Sequence, residues 1–379
     1  MELLNATKMT AGYTMGLRPD GRELLVVVVK GTFKIPTGNR AAELAEQQAD
    51  LVMADEFTGE PGFSAPRYES DFAPFKPRCD VLLNASAYAP RGRPATRVNV
   101  SMRVGTCAKS FRVVGNRNWI KVWFLTIPGT PAPFTVMPIS YDNAFGGADL
   151  THPNPKKHRT FLKNHVGKGF HHNLAKKAID GKPLPNTEEL HRSVTNPKRD
   201  YRPMAFGPVG RAWQPRPKFA GTYDQKWFDN VFPFLPSDFD DRYYQAAPED
   251  QQIEYLRGGE EVALVNLTPH GRTTFTVPRI SVPMTFYLKN GEEKETLAAN
   301  DTIIIEPDLG RFMLVWRVAL PLKKNMFEVA QVVVGKMPRA WYRARELGKI
   351  WYPSLKELVD ERVSERSDSA EEFVEGANP

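Results

Sequence analysis

The alternation of apolar and polar positions marks most of this chain as β. Residues 23–30 read ELLVVVVK, an unbroken β-branched run of the kind that forms a central strand buried on both faces. Residues 97–104, RVNVSMRV, alternate instead, as a strand with one wet face does. Gly105–Gly115 and Trp119–Leu125 continue the strand pattern. The signals Pro19-Asp-Gly and Pro90-Arg-Gly predict turns between such segments. One helix is predicted in this first stretch, over Ala41–Gln48. Strand patterns return between Glu260 and Val334, at Val262–Val265, Arg272–Val277, Thr285–Leu288, Thr302–Glu306 and Phe312–Val318, with Asn290-Gly291 as a hairpin turn.

Between about Ser140 and Asp250 the periodicity fades and Pro, Gly, Asn and aromatic residues dominate. Trp213, Phe219, Tyr223, Trp227, Phe228, Phe232 and Phe234 supply anchors that disordered segments lack, so ordered functional loops are predicted there. The predicted fold class is mainly β: two sandwich-like sheet units joined by a long Pro- and aromatic-rich region, with a short helical tail. The boundaries fall at 1–140, 141–250, 251–335 and 336–379. The tail is basic over 339–356, with Trp341, Leu347, Ile350 and Trp351 as apolar contacts, and turns acidic from Glu357.

Composition sharpens this picture. The 379 residues suffice for two domains or one large β domain, and the 32 prolines and 27 glycines disfavour long helices. Two cysteines, Cys79 and Cys107, build no disulfide framework and are expected as free thiols in a reducing compartment. The start MELLNATKMTAG lacks an export-signal pattern, and the longest apolar run, Leu24–Val29, is too short to span a membrane, so a cytoplasmic location is expected. The net charge of +7 is local: residues 151–203 hold twelve Lys and Arg against four Asp and Glu. Such a segment attracts an acidic partner, with Lys156, Lys157 and Arg159 as the leading candidates.

Catalytic templates fit poorly. Val332–Met337 resembles the end of a phosphate-binding loop, but Ala330 stands at the first glycine and Met337 replaces the hydroxyl residue. Gly62-Phe-Ser-Ala-Pro begins like a nucleophile elbow and ends in Pro66. Five of seven histidines fall within His152–His172, yet their spacing matches no metal site and the lysines among them would repel a cation. Asp238, Asp240 and Asp241 lack the pattern of a calcium loop and suit helix capping and pairing with Arg242. No metal or cofactor is expected.

Residues 67–90 carry Arg67, Glu69, Asp71 and Lys76 among Tyr68, Phe72 and Phe75, immediately before Val81-Leu82-Leu83. Two interpretations fit: a structural corner where the charges pair as a strand begins, or a partner-binding surface. This block, with LLVVVVKGTFKIP (24–36), DVLLNASAYAPRGRP (80–94), MPISYDNAFGG (137–147), AGTYDQKWFDNVFPFLPSDFD (220–240) and AAPEDQQ (246–252), resembles the bacterial domain-of-unknown-function family DUF2169, encoded beside type VI secretion spike and tip proteins. The resemblance covers about Met1–Pro283. It implies an adaptor or chaperone that loads a toxic effector onto the spike, and it carries over no catalytic residues.

The expected function is therefore non-enzymatic: an adaptor whose partners are a secreted effector and a spike or tip protein. Trp213, Tyr223, Trp227 and Phe234 are its candidate aromatic anchors. Two alternatives belong to other classes. One is a cryptic hydrolase using Asp238, Asp240 or Glu69 with a histidine. The other is a nucleic-acid-binding module, disfavoured because its aromatics are not interleaved with the basic residues. A membrane partner and a small-molecule substrate are not expected.

Overall fold

The Val-rich run forms a twelve-residue strand, Glu23–Lys34, and every side chain from Leu24 to Val29 is buried. Leu25, Val27 and Val29 enter the main core, while Leu24, Val26 and Val28 pack on the other face against Val315, Leu51 and Phe72. Each such side chain contributes about 1.5–3 kcal/mol by leaving water. This computed structural model describes residues 1–38, 40–173 and 176–352.

The fold is mainly β, as the patterning predicts. The strand-rich stretches at the two ends of the main unit share sheets. A six-stranded sheet runs in the order Gln252–Ile253, Cys79–Leu83, Ala299–Glu306, Arg311–Pro321, Glu23–Lys34, Thr10–Leu17. In it Cys79–Leu83 lies parallel to Ala299–Glu306, and Arg311–Pro321 runs antiparallel to the Val-rich strand along its length. A five-stranded sheet places Glu261–Val265 beside Arg97–Val104. A four-stranded sheet pairs Glu2–Asn5 with Val329–Val334. All three sheets feed one core, in which Phe312 stacks on Phe33 at 5.3 Å and on Phe275 at 4.9 Å.

The helix expected over Ala41–Gln48 does not form. That segment runs extended beside the Val-rich strand: Lys34 N–H donates to Glu43 O at 2.9 Å and Ala45 N–H to Thr32 O at 2.8 Å. The Gln48 amide closes the edge by accepting from Thr32 N–H and donating to Thr32 O. Backbone pairing to an existing strand outweighs the weak helix propensity of the Ala-rich stretch. The strand predicted through Trp119–Leu125 is also interrupted. Trp119–Val122 and Leu125–Pro128 form a hairpin, with Trp123 at positive φ in its two-residue turn.

The loop-rich region has its own small core, in which Trp119, Phe145, Phe161, Phe170, Leu184 and Tyr201 are buried together. The Asp149 carboxylate organises part of it by accepting from Thr151, His172 and Asn173. The second compact unit, Gly335–Pro379, contains the helix Arg339–Glu346, where Arg345 lies 5.5 Å over the Trp341 ring. The rest of the tail expectation, from residue 353 on, lies outside the described residues.

Within the charged block before Cys79–Leu83, Asp71 and Lys76 are buried in ion pairs. Lys30 meets Asp71 at 2.8 Å and Lys76 meets Asp80 at 2.8 Å. Arg317 pairs with Asp301 at 2.6 Å and donates to the carbonyls of Asp71 and Ala73. Removing one partner of a buried pair strands the other charge. Asp71→Ala is therefore expected to lower the urea-unfolding free energy by about 3–5 kcal/mol. The double change Lys30→Met with Asp71→Leu is expected to recover most of that loss.

Asp149 gives a pH test. Burial alone would raise its pKa, but the hydrogen bonds from Thr151, Asn173 and His172 hold it well below the usual carboxylate range. With a folded pKa below the unfolded one, its stabilising contribution is complete above about pH 4 and is lost as pH falls through the folded value. Hydrogen exchange should find the His172 and Asn173 amides still protected at pH 4. In Asp149→Ala the protection should be gone at neutral pH.

Candidate functional site

Residues 220–240 form a closed surface loop whose neck is tied by one carboxylate. Asp238 accepts from Thr222 N–H at 3.0 Å and Thr222 Oγ1 at 2.7 Å, bonds that hold its pKa below the ordinary value. Gly221 sits at φ +83, where a Cβ would lie 2.8 Å from Pro236, so the neck needs glycine. Inside the loop Asp224 caps the short helix Gln225–Asn230 by accepting from Trp227 N–H at 2.8 Å.

Trp227 organises the loop. Its indole N–H donates to Phe234 O at 3.0 Å, and its ring meets Tyr223 at 4.7 Å and Phe232 at 5.7 Å, both edge-on. Phe228 packs on Phe232 at 5.6 Å. Phe234 lies over the turn glycine Gly21, which seats the loop on the hairpin preceding the Val-rich strand. Despite these mutual contacts, Tyr223 is 53% exposed, Phe228 59%, Phe232 59% and Phe234 44%. The result is an ordered aromatic platform facing solvent.

Of the four predicted anchors, Tyr223 and Phe234 lie on this surface and Trp227 is half-buried beneath it. Trp213 is a correction. It is 3% exposed, edge-on to Tyr141 at 5.4 Å and to His165 at 5.3 Å, and belongs to the main core. Phe228 and Phe232 complete the platform. Phe228 lies on the helix behind the Asp224 cap and Phe232 in the turn after it, so no single periodicity marks the two.

A second apolar surface is the Trp119–Pro128 hairpin. Its base is fixed by buried Trp119, while Trp123 and Phe124 at the tip are 86% and 71% exposed. The opposed pairs Ile120–Ile127 and Val122–Leu125 line one face below the tip. Reading this segment as a single strand hid the tip.

The charged residues fall into two groups. Lys156, Lys157 and Arg159 are exposed, on a turn capped by Asn154 and a short strand beside Ala148–Asp149. Glu69, by contrast, binds Arg216 through both oxygens, at 2.6 and 2.7 Å, and also meets Arg211. Asp71 and Lys76 serve the buried pairs described above, and Arg67 lies 5.4 Å over the Tyr68 ring. Asp240 caps the Asp241–Tyr244 turn and pairs with Arg242. Among the described residues no group of three His, Cys, Asp or Glu side chains is placed to hold a metal ion. Both cysteines are free and buried, and burial pushes the Cys79 thiol well up. No helix of the described residues is long and apolar enough to cross a membrane.

The motifs that build these features recur in a known family. The model of DUF2169, an uncharacterized protein conserved in bacteria, matches residues 20–317, from the turn beneath Phe234 to Arg317. The chain belongs to this family. No curated protein and no solved structure matches it. The family span contains strands of all three sheets, the aromatic loop and the hairpin.

The burial contrast gives a direct check. Trp213→Ala opens a core cavity and is expected to cost about 3–5 kcal/mol. Phe228→Ala and Phe232→Ala are expected to stay within about 1 kcal/mol of the parent, since mutations at exposed sites away from special features change little. Urea unfolding of the three variants measures both.

Proposed function

We propose that this protein is a cytoplasmic adaptor or chaperone of type VI secretion, which holds a toxic effector and delivers it to the spike and tip proteins without catalysing a reaction. The observation that carries this reading is the aromatic platform of Tyr223, Phe228, Phe232 and Phe234, ordered by its own loop yet open to solvent. Rigid aromatics bury large areas at little entropic cost, so they dominate interface energetics when a partner covers them. The Trp123–Phe124 hairpin adds a second exposed apolar element on a different part of the chain, and an adaptor needs a surface for each of two partners. The resemblance of this chain to a family encoded beside spike and tip proteins is consistent with the same reading. The hydrolase alternative is the weaker one, because Glu69 and Asp240 are engaged in ion pairs with Arg216 and Arg242 and Asp238 is engaged by Thr222 at the loop neck.

Co-purification with the products of adjacent genes tests this reading. The full-length chain should retain one or more of them, and Tyr223→Ala, Phe228→Ala and Phe232→Ala together should weaken that capture by at least about tenfold, the effect of losing one hot spot. Capture unaffected by the triple change would remove the platform from the interface. The exposed Lys156, Lys157 and Arg159 are assigned to steering. Reversing all three to Glu is expected to slow association at low salt and flatten its salt dependence, while dissociation changes little. Stopped-flow association across a salt series measures this.

A further inference from the structure

A cleft of about 1000 Å³ opens beside the neck of the aromatic loop. Pro203, Pro215, Pro217 and Pro248 stiffen its walls, and seven of its lining residues are Lys or Arg against two carboxylates, Glu249 and Asp250. Several of those cations are already matched: Arg216 by Glu69, Lys163 by Asp200 and Arg242 by Asp240. The unmatched charge lies at two places. At the floor, buried Lys109 meets the single carboxylate of Asp250 at 3.4 Å and shares it with the solvent-exposed Arg202, which reaches it at 2.7 Å. At the rim, among the described residues, no carboxylate lies within ion-pair distance of Arg78 or Lys218.

We propose that this cleft binds an extended acidic segment of a partner polypeptide, with carboxylates met at the rim by Arg78 and Lys218 and at the floor by Lys109 and Arg202. The floor is built for this. Lys109 is almost fully buried and donates to Gln251 at 2.6 Å. Gln251 in turn is fixed by donating to Val81 O and Phe206 O at 2.6 and 2.8 Å. Burial lowers the Lys109 pKa to about 8; Asp250 offsets this only in part and the Arg202 cation lowers it further, so an incoming anion would relieve an existing cost. The exposed Arg78 is held toward the cleft by donating to Gln252 O at 2.9 Å.

A polypeptide fits better than a nucleic acid. Two aromatic rings line the cleft: Tyr141 is buried, and Phe219 is already covered by Lys218 at 4.7 Å and Arg242 at 4.3 Å. Base stacking would have to displace those cations. Side-chain carboxylates need no stacking platform, and proline walls accept an extended chain.

The inference specifies the partner chemistry for the adaptor reading and rests on it, but its test needs no partner protein. Fluorescence anisotropy of the full-length chain would use a labelled short peptide alternating Glu and Gly, with the Gln-for-Glu peptide as control. The Glu peptide is expected to bind at least about tenfold tighter than the control at low salt, with the advantage shrinking as salt screens it. Arg78→Glu with Lys218→Glu should abolish that advantage, whereas Arg91→Glu with Arg93→Glu, an equal charge change outside the cleft, should leave it within about twofold. Lys109→Met should also weaken binding, with its melting temperature measured alongside; the rim variants decide the matter if that variant unfolds. Equal binding of the two peptides, or equal loss in both double variants, would overturn the proposal. Displacement of the peptide by a single-stranded oligonucleotide more readily than by unlabelled Glu peptide would assign the cleft to nucleic acid instead. Any of these failures would leave the aromatic platform untouched, since that surface is read by capture of the neighbouring gene products.

Discussion

The structure depends most on the neutralisation of Asp80. Its carboxylate is fully buried in a central strand and receives the Lys76 ammonium at 2.8 Å, the Gln245 amide at 2.5 Å and the backbone N–H groups of Ala246 and Ala247. An ionised carboxylate in such a place is tolerable only if its oxygens are saturated with donors. One donor, Lys76, lies four residues before Asp80, and the others come from the distant segment that ends the loop-rich region. One buried charge therefore fixes where a hundred irregular residues re-enter the sheet.

Related pairs repeat the device around the same sheet. Lys30 with Asp71 ties the segment preceding Cys79–Leu83 to the Val-rich strand, and Arg317 reaches from the sheet to the Asp71 and Ala73 carbonyls of that segment. Glu69 with Arg216 and Arg211 anchors the segment leading into the aromatic loop. Long loops tied down mainly by hydrophobic contacts could slide. Directional charge-assisted bonds give these loops a single register. The surface aromatics can thus remain open to water without collapsing into the core.

The same accounting separates scaffold from surface. Carboxylates that looked available for chemistry, Glu69, Asp238 and Asp240, are used up in holding loops. Basic residues likewise divide: Arg216 is the buried partner of Glu69, whereas Lys156, Lys157 and Arg159 remain exposed. Proximity in sequence could not pair Arg216 with Glu69, which lies 147 positions away.

The amino-acid sequence by itself determined the β character, the double-sided burial of Leu24–Val29 and the ordered nature of the loop region, since periodicity and aromatic content are local properties. It also contained the motif set that marks the family. Only the tertiary structure decided that strands from both ends of the main unit share sheets, because pairing joins residues hundreds of positions apart. It likewise placed Ala41–Gln48 along a strand edge, where backbone partners outweighed helix propensity, and put the turn at Trp123. The fate of each aromatic was decided there too. Trp213 and Phe228 are alike in composition terms, but one is enclosed by Tyr141 and His165 while the other faces water, and that difference is set by neighbours the local sequence does not contain.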